Sequence, residues 1–306
     1  MTLTPRTFGW LRDGLGNARA AREIENHLGI GQIGEIFYTD PVASSASDTN
    51  TGTSPLEAFA STQSGIDAMV ADRGDVLIRM RGYEVVTTPV LFNKAGITVI
   101  TESYGMNPWE QGEYFAIDNT TGGAAAALIS TRCRIIGLGF HTAWTGGISS
   151  NILYDHESGD PGWVYLYYCR IMNWGTATVY GVNFEAGANI VAEKSTFEGT
   201  AGQKFTAGIA FGGSPSNNPI QNTVEDCRFR DCTYAIEHKD GTPQNFLYYN
   251  NKNIDGKFLN SKGAAADGLV AGNWHETAAG SDTNDGTVNA MIGQGINFCG
   301  NHYAET

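Results

Sequence analysis

A chain of 306 residues can bury a substantial core, and 39 glycines with only 17% charged residues suit a β-rich fold with many tight turns and exclude a helix-rich one. The formal net charge of −13 disfavours nucleic acid and anionic membrane surfaces, which would repel it. Five cysteines, an odd number, make no disulfide framework, and no Cys-x-x-Cys with a matching Cys or His pair supports a zinc site, so neither metal nor cofactor is expected.

Residues 1–6 lack the apolar stretch of a secretion signal, and nowhere do eighteen uncharged apolar residues run together, so no membrane span is expected. The first 16 residues are Gly-rich, with Phe8, Trp10, Leu11 and Leu15 as apolar anchors; such an arm frays unless it docks on something. Residues 17–28 read as a short helix with Asn17 as N-cap, Gly29 as stop, and one narrow apolar edge made by Ile24 and Leu28. The glycines at 29, 31 and 34 form a hinge before a first strand over 35–38. They do not make a dinucleotide fingerprint, because no strand precedes them and no helix follows. Two parts are therefore expected: a helical arm over 1–34 and the main body over 35–306.

Ser54 and Pro55 start a helix expected over 56–71, with Ala58, Phe59, Ile66, Met69 and Val70 near helical spacing. A strand over 74–80 follows, then Gly82-Tyr83, Val90-Leu91-Phe92 and residues 94–100. The run from Asn50, Gly52, Thr53, Ser54 and Pro55 through Gly74, Asp75 and Val76, then Gly82 and Tyr83, to Lys94, Gly96, Ile97 and Thr98 resembles the amino-terminal cap of the right-handed parallel β-helix, or pectate-lyase-like, superfamily. The resemblance implies an all-β fold, a single-stranded right-handed parallel β-helix whose first coil is covered by a capping helix. It implies little about function, since the superfamily holds lyases, hydrolases, adhesins and phage spikes.

From residue 131 one short phrase recurs, as Cys133-Arg134-Ile135, Cys169-Arg170-Ile171, Ser195-Thr196-Phe197, Cys227-Arg228-Phe229, Lys252-Asn253-Ile254, Gly272-Asn273-Trp274 and Asn301-His302-Tyr303. Its apolar members lie 20 to 36 residues apart, one coil length with loops of variable size. Read as strands in one register, Cys133, Cys169, Ser195 and Cys227 share an internal position beside an apolar ladder. Arg134, Arg170, Thr196, Arg228, Asn253, Asn273 and His302 then face solvent. A β-sandwich with a chance recurrence is the alternative, although its turns would come every 8 to 12 residues.

The strand with Tyr165, Tyr167 and Tyr168 has aromatics on both faces, so some must lie outside the coil, as contacts to another subunit, a long loop or a glycan. The segment 281–287 nearly repeats the turn that begins at Ser47 and reads as a turn, with calcium as the alternative; Phe59 and Gly293 stand where these two calcium-like loops would need a bidentate Glu. Acidic candidates for glycan cleavage are Asp155, Glu157, Asp160, Glu193, Glu225, Asp226, Asp231, Glu237 and Asp240, and His238 is expected at the surface. No polygalacturonase-like or pectate-lyase-like signature accompanies them, so no catalytic residue is assigned.

The capped body, the arm and the acidic surface are together similar to virion proteins of tailed bacteriophages. That similarity implies a non-enzymatic homotrimer on the particle as capsid decoration, head fibre or tail spike. Its partners would be phage capsid or tail proteins, met through Phe8, Trp10, Leu11, Leu15, Ile24 and Leu28, and a host glycan could touch the tyrosines. The alternative is a polysaccharide lyase or glycoside hydrolase acting on a host surface glycan.

Overall fold

The computed structural model describes residues 33–102, 115–121, 125–142, 150–154, 162–175, 180–185, 189–200, 202–212, 221–239, 244–261, 268–276, 296–299 and 302–304. The expected helix over 17–28, the anchors Phe8, Trp10, Leu11, Leu15, Ile24 and Leu28, and the 281–287 turn lie outside the described residues, as do Asp155, Glu157, Asp160 and Asp240.

Within those residues the chain is almost entirely parallel β-strand, arranged in three sheets of ten, nine and seven strands. The first sheet begins with Ile36–Thr39 and Val76–Arg79, the second with Glu84–Val86 and the third with Val90–Phe92. From Val76 to Ser261 successive strands visit first, second and third sheet in turn, and each pairs in parallel with the strand one circuit earlier. This layout is compatible with a parallel β-helix. Antiparallel hairpins cannot produce it, because parallel neighbours need a crossover, here supplied by the other two sheets.

The interior is lined on each sheet by in-register columns of side chains. Val99, Ile135, Leu166, Ala192, Val224, Tyr248 and Val270 stack on the first sheet, and Ile117, Phe140, Ile171, Phe197 and Phe229 on the second. Ala127, Ile152, Val182, Ile209, Ile236 and Leu259 stack on the third. All are buried. Stacking in register brings like rings together: Phe197 and Phe229 lie 4.9 Å apart at 10°.

The recurring phrase is real but does not lie in one register. Cys133-Arg134-Ile135 is on the first sheet, pairing with Val164-Tyr165-Leu166, whereas Arg170-Ile171, Thr196-Phe197 and Arg228-Phe229 are on the second. Phe140 is the true neighbour of Ile171, and Asn253 and His275, not Ile254 and Trp274, continue the ladder towards Tyr303. Strand starts on both sheets want a small inward residue followed by an outward polar one, so the two sheets produce the same three-letter phrase. Asn253 therefore points inwards, and Arg170 and Thr196, although outward, are buried, as is Asn273. Arg134 and Arg170 are on different sheets and are not neighbours.

The displaced register traces to the corner between first and second sheets. Gly137, Tyr168, Lys194, Asp226, Asn250 and Gly272 occupy it with φ between 49° and 75°. A left-handed Tyr or Lys is costly unless neighbouring contacts enforce it. Here the N–H of Tyr168 donates to Glu193 O at 3.1 Å and that of Lys194 to Glu225 O at 3.0 Å, so the ladder of hydrogen bonds carries on around the bend. The residue that follows each of them (Leu138, Cys169, Ser195, Cys227, Asn251, Asn273) forms a second stack, and its polar members bond along the axis. Cys227 N–H donates to Asn251 Oδ1 at 2.9 Å, and Asn273 Nδ2 donates to Tyr248 O at 3.0 Å.

The helix expected over 56–71 is shorter. Pro55–Glu57 forms a 3-10 turn, and the α-helix spans Thr62–Ala68 with Ser61 as N-cap, its hydroxyl accepting from Ser64 N–H at 3.1 Å. The intervening Phe59 is taken by the first strand: its N–H donates to Tyr38 O and its carbonyl accepts from Asp40 N–H, both at 2.9 Å. Ile66 is the helix's buried anchor, and Gly65 sits so close to Leu77 and Thr39 that a Cβ there would lie under 3 Å from both. Fully buried Arg79 ties the helix to the stack, donating from Nε to Thr62 Oγ1 at 3.1 Å and from Nη2 to Ala116 O at 3.2 Å, beside Glu84.

Candidate functional site

The outer face of the first sheet carries the tyrosines. Along Val164–Tyr167, Val164 and Leu166 point inwards while Tyr165 and Tyr167 stand outside, half-buried, as alternation on a strand requires. Their rings stack at 5.4 Å, and Tyr168, at the corner, meets Tyr167 edge-on at 4.7 Å. The Tyr165 hydroxyl donates to Glu193 Oε2 at 2.9 Å. Lys194 donates to Glu193 Oε1 at 2.7 Å and to the Tyr167 hydroxyl at 3.2 Å, with its Nζ 5.0 Å from the Tyr167 ring centre. Lys194 thus pairs with Glu193, while Asp226, on the next coil, accepts from Asn250.

These contacts set the proton affinities. Burial alone would lower Lys194, but its bonds to Glu193 and Tyr167 outweigh that and hold the ammonium above its ordinary range. Burial, then the Glu193 charge and hydrogen bond, push the Tyr165 hydroxyl up. Both groups keep their protons, so neither serves as a base. Glu225, the in-register neighbour of Glu193, is shifted up by burial and by the charges of Asp226 and Glu193.

A second polar group, which sequence reasoning missed, lies on the outer face of the second sheet. Asp118, His141, Met172, Glu198 and Arg230 form one column across five coils. The Tyr83 hydroxyl donates to Asp118 Oδ2 at 2.6 Å. His141 is fully buried, lies 4.9 Å from the Trp174 ring and 5.8 Å from Tyr83, and neither ring nitrogen has a hydrogen-bond partner among the described residues. Burial and the nearby Arg170 charge push it down to about 3, so it is neutral. Arg170 donates to Glu198 Oε2 at 3.1 Å and Arg230 to Oε1 at 3.4 Å, so Glu198 is held between two cations. Residues scattered over 83, 118, 141, 170 and 198 leave no linear motif; only the coil register brings them together.

The other acidic candidates do not converge. Asp231 lies 3.6 Å from Arg230, and Glu237 is buried on the third sheet, accepting from Asn260 Nδ2 at 3.1 Å. His238 is not at the surface: it points into the core, with Nε2 2.6 Å from the Tyr248 hydroxyl, because it shares the inward column of Phe184 and Phe211. Cys133, Cys169, Cys227 and Cys232 are buried free thiols. Among the described residues no group of three or more His, Cys, Asp or Glu converges as metal ligands, and no helix is long and apolar enough to cross a membrane.

Fold and surfaces together define an all-β coil of three stacked parallel sheets with polar networks on its outer faces and corners. Compared with protein-family models and with curated proteins, the chain matches none.

Proposed function

We propose that this is a right-handed parallel β-helix of the pectate-lyase-like type serving as a non-enzymatic structural protein on the particle of a tailed bacteriophage, as a homotrimer. Residues 1–34 are the docking arm, with Phe8, Trp10, Leu11, Leu15, Ile24 and Leu28 as its anchors to capsid or tail proteins, and residues 35–306 are the shaft. Right-handedness follows from the strong preference of parallel crossovers for that hand. The observation that carries the structural reading is the outer face of the first sheet. There Tyr165, Tyr167, Val191, Leu247, Tyr249 and Leu269 stand on outward positions where solvent would favour polar residues. An elongated stack with such a strip suits a shaft that associates sideways.

The test is light scattering of the full chain at micromolar concentration, with immunogold labelling of purified particles. Three copies per assembly and label on the particle are expected. A monomer, or unlabelled particles, would sink the reading.

A glycoside hydrolase acting on host surface glycan is the second reading, favoured by Glu193 and Glu225. They sit in register on adjacent coils, about 4.8 Å apart at the backbone, near the separation a retaining pair needs. Glu225 is shifted up towards an acid, and Glu193 receives bonds from Tyr165 and Lys194. Asp118 and Glu198 cannot act as such a pair, lying three strands or roughly 14 Å apart. Release of reducing ends from host polysaccharide, lost in Glu225→Gln, would establish this reading; no release from the wild-type chain would end it.

A further inference from the structure

We propose that copies of this chain meet, with their long axes parallel, through the outer face of the first sheet between Val191 and Leu269; this names the contact surface of the homotrimer reading above and rests on it. Val191, Thr223, Leu247 and Leu269 form one outward column in strict register, with no charge in it, and Glu193, Glu225, Tyr249 and Ala271 form the next. Leu269 and Tyr249 are 37% and 45% exposed. The same two columns begin with Ile36, Val76, Tyr38, Ile78, Ile100 and Ile136, all buried, and are interrupted by Thr98 and Arg134 in the first and by Glu193 and Glu225 in the second, so the partly exposed uncharged stretch is the one from Val191 to Leu269.

Charge decides how a second copy can sit there. Copies with parallel axes and equal rise meet at equal heights, so a residue on the shared axis faces its own copies, and any charge there would face its like. The column from Val191 to Leu269 meets that demand. The second sheet does not: Arg228 and Lys252 are neighbours in one of its outward columns, and Arg230 is in the other. The edges of the first sheet also match. The strand Thr223–Glu225 ends on a carboxylate and is preceded by exposed Gln221, and the strand Ile190–Glu193 ends on a carboxylate and is preceded by half-buried Asn189. Rotation about a parallel axis lays the end of one copy's strands against the start of the next, carboxylate against amide. An antiparallel pair would set Glu193 and Glu225 against each other's copies, in a place where Glu225 is already disfavoured as an anion by burial, Asp226 and Glu193.

The experiment measures mass by sedimentation on the full chain and three variants. Leu247→Glu places a like charge at every contact and is expected to lower the mass threefold with circular dichroism unchanged, while Arg230→Glu leaves the mass unchanged. Should Leu247→Glu fail to fold, Leu269→Cys under mild oxidation is expected to yield disulfide-linked pairs on a non-reducing gel. A trimer that survives Leu247→Glu, or that gives no linked pairs from Leu269→Cys, overturns the assignment of this face while leaving the trimer standing. A monomeric wild-type chain overturns both.

Discussion

Asn251 and Asn273 stand one coil apart at the corner between the first and second sheets, and the Asn251 backbone N–H and side-chain amide both donate to Asn273 Oδ1, at 2.8 and 2.9 Å. Asn251 in turn accepts from Cys227 N–H and donates to Val224 O at 2.8 Å, so one buried side chain links three coils. Asparagine suits this place because its amide offers donor and acceptor together, matching orphan backbone groups on both sides.

Asn251→Ala strands the Cys227 N–H and the Val224 carbonyl in the interior. A loss of about 2 to 3 kcal/mol is expected, since each buried group left unpaired costs roughly 1 to 3 kcal/mol. Urea unfolding followed by circular dichroism measures it, and a loss below half a kcal/mol would show that water replaces the amide.

Removing Glu84 leaves Arg79 buried without its anion and takes the acceptor from Thr62 N–H, which Glu84 Oε1 holds at 2.9 Å. Glu84→Ala should therefore cost about 3 to 5 kcal/mol, the usual penalty for halving a buried pair. The damage should be local first: hydrogen exchange at residues 62–68 should accelerate more than at the second sheet's Phe197 or Phe229. Uniform acceleration would argue against the tie.

The cysteines should be inert. Burial pushes the Cys169 thiol up to about 12 and raises Cys133, Cys227 and Cys232 as well. In a Cys299→Ser variant a thiol reagent at pH 8 should label none of the four in the native state and all four in denaturant. Rapid native labelling of any one would mean the coil is open there.

Acid should destabilise the fold through two histidines. His141 and His238 are both pushed down to about 3, by burial and, for His141, also by Arg170, while the unfolded chain titrates near 6.5. Between those values the unfolded state binds the extra protons, so their contribution is complete above pH ~6.5 and is lost as pH falls towards 3. Each histidine adds up to about 1.4 kcal/mol per pH unit to the slope. Asp75 acts in the same direction lower down. Burial would raise it, but bonds from Arg73, Val70 N–H and Glu35 N–H hold it below its ordinary value, so its contribution fades only as pH drops through the acid range. Stability measured from pH 7 to 4 should fall, and His141→Phe should flatten the curve by one proton's worth; an unchanged slope in that variant would show that His141 is charged in the native state.

Much of the architecture was readable from the residues alone. Aromatics on both faces of the 164–168 strand required some to lie outside the coil, the spacing of Ile171, Phe197 and Phe229 marked one circuit each, and the cysteines were recognisable as small core residues. These are local demands of a strand on its own side chains, so a single chain carries them. Which sheet each strand joined was not readable, because a corner of two residues with left-handed backbone at Tyr168 or Lys194 leaves no compositional mark: its cost is met by hydrogen bonds to the next coil. For the same reason His238 reads as a surface residue between Glu237 and Lys239 yet stacks inwards with Phe211, and Asp118, His141 and Glu198 meet only because coils of unequal length return to one register. Sequence determined that strands alternate inside and outside and recur about once per circuit; tertiary structure decided that Asn253 and His238 turn inwards and which distant strands lie side by side, since that depends on how much chain each loop takes up before the next circuit.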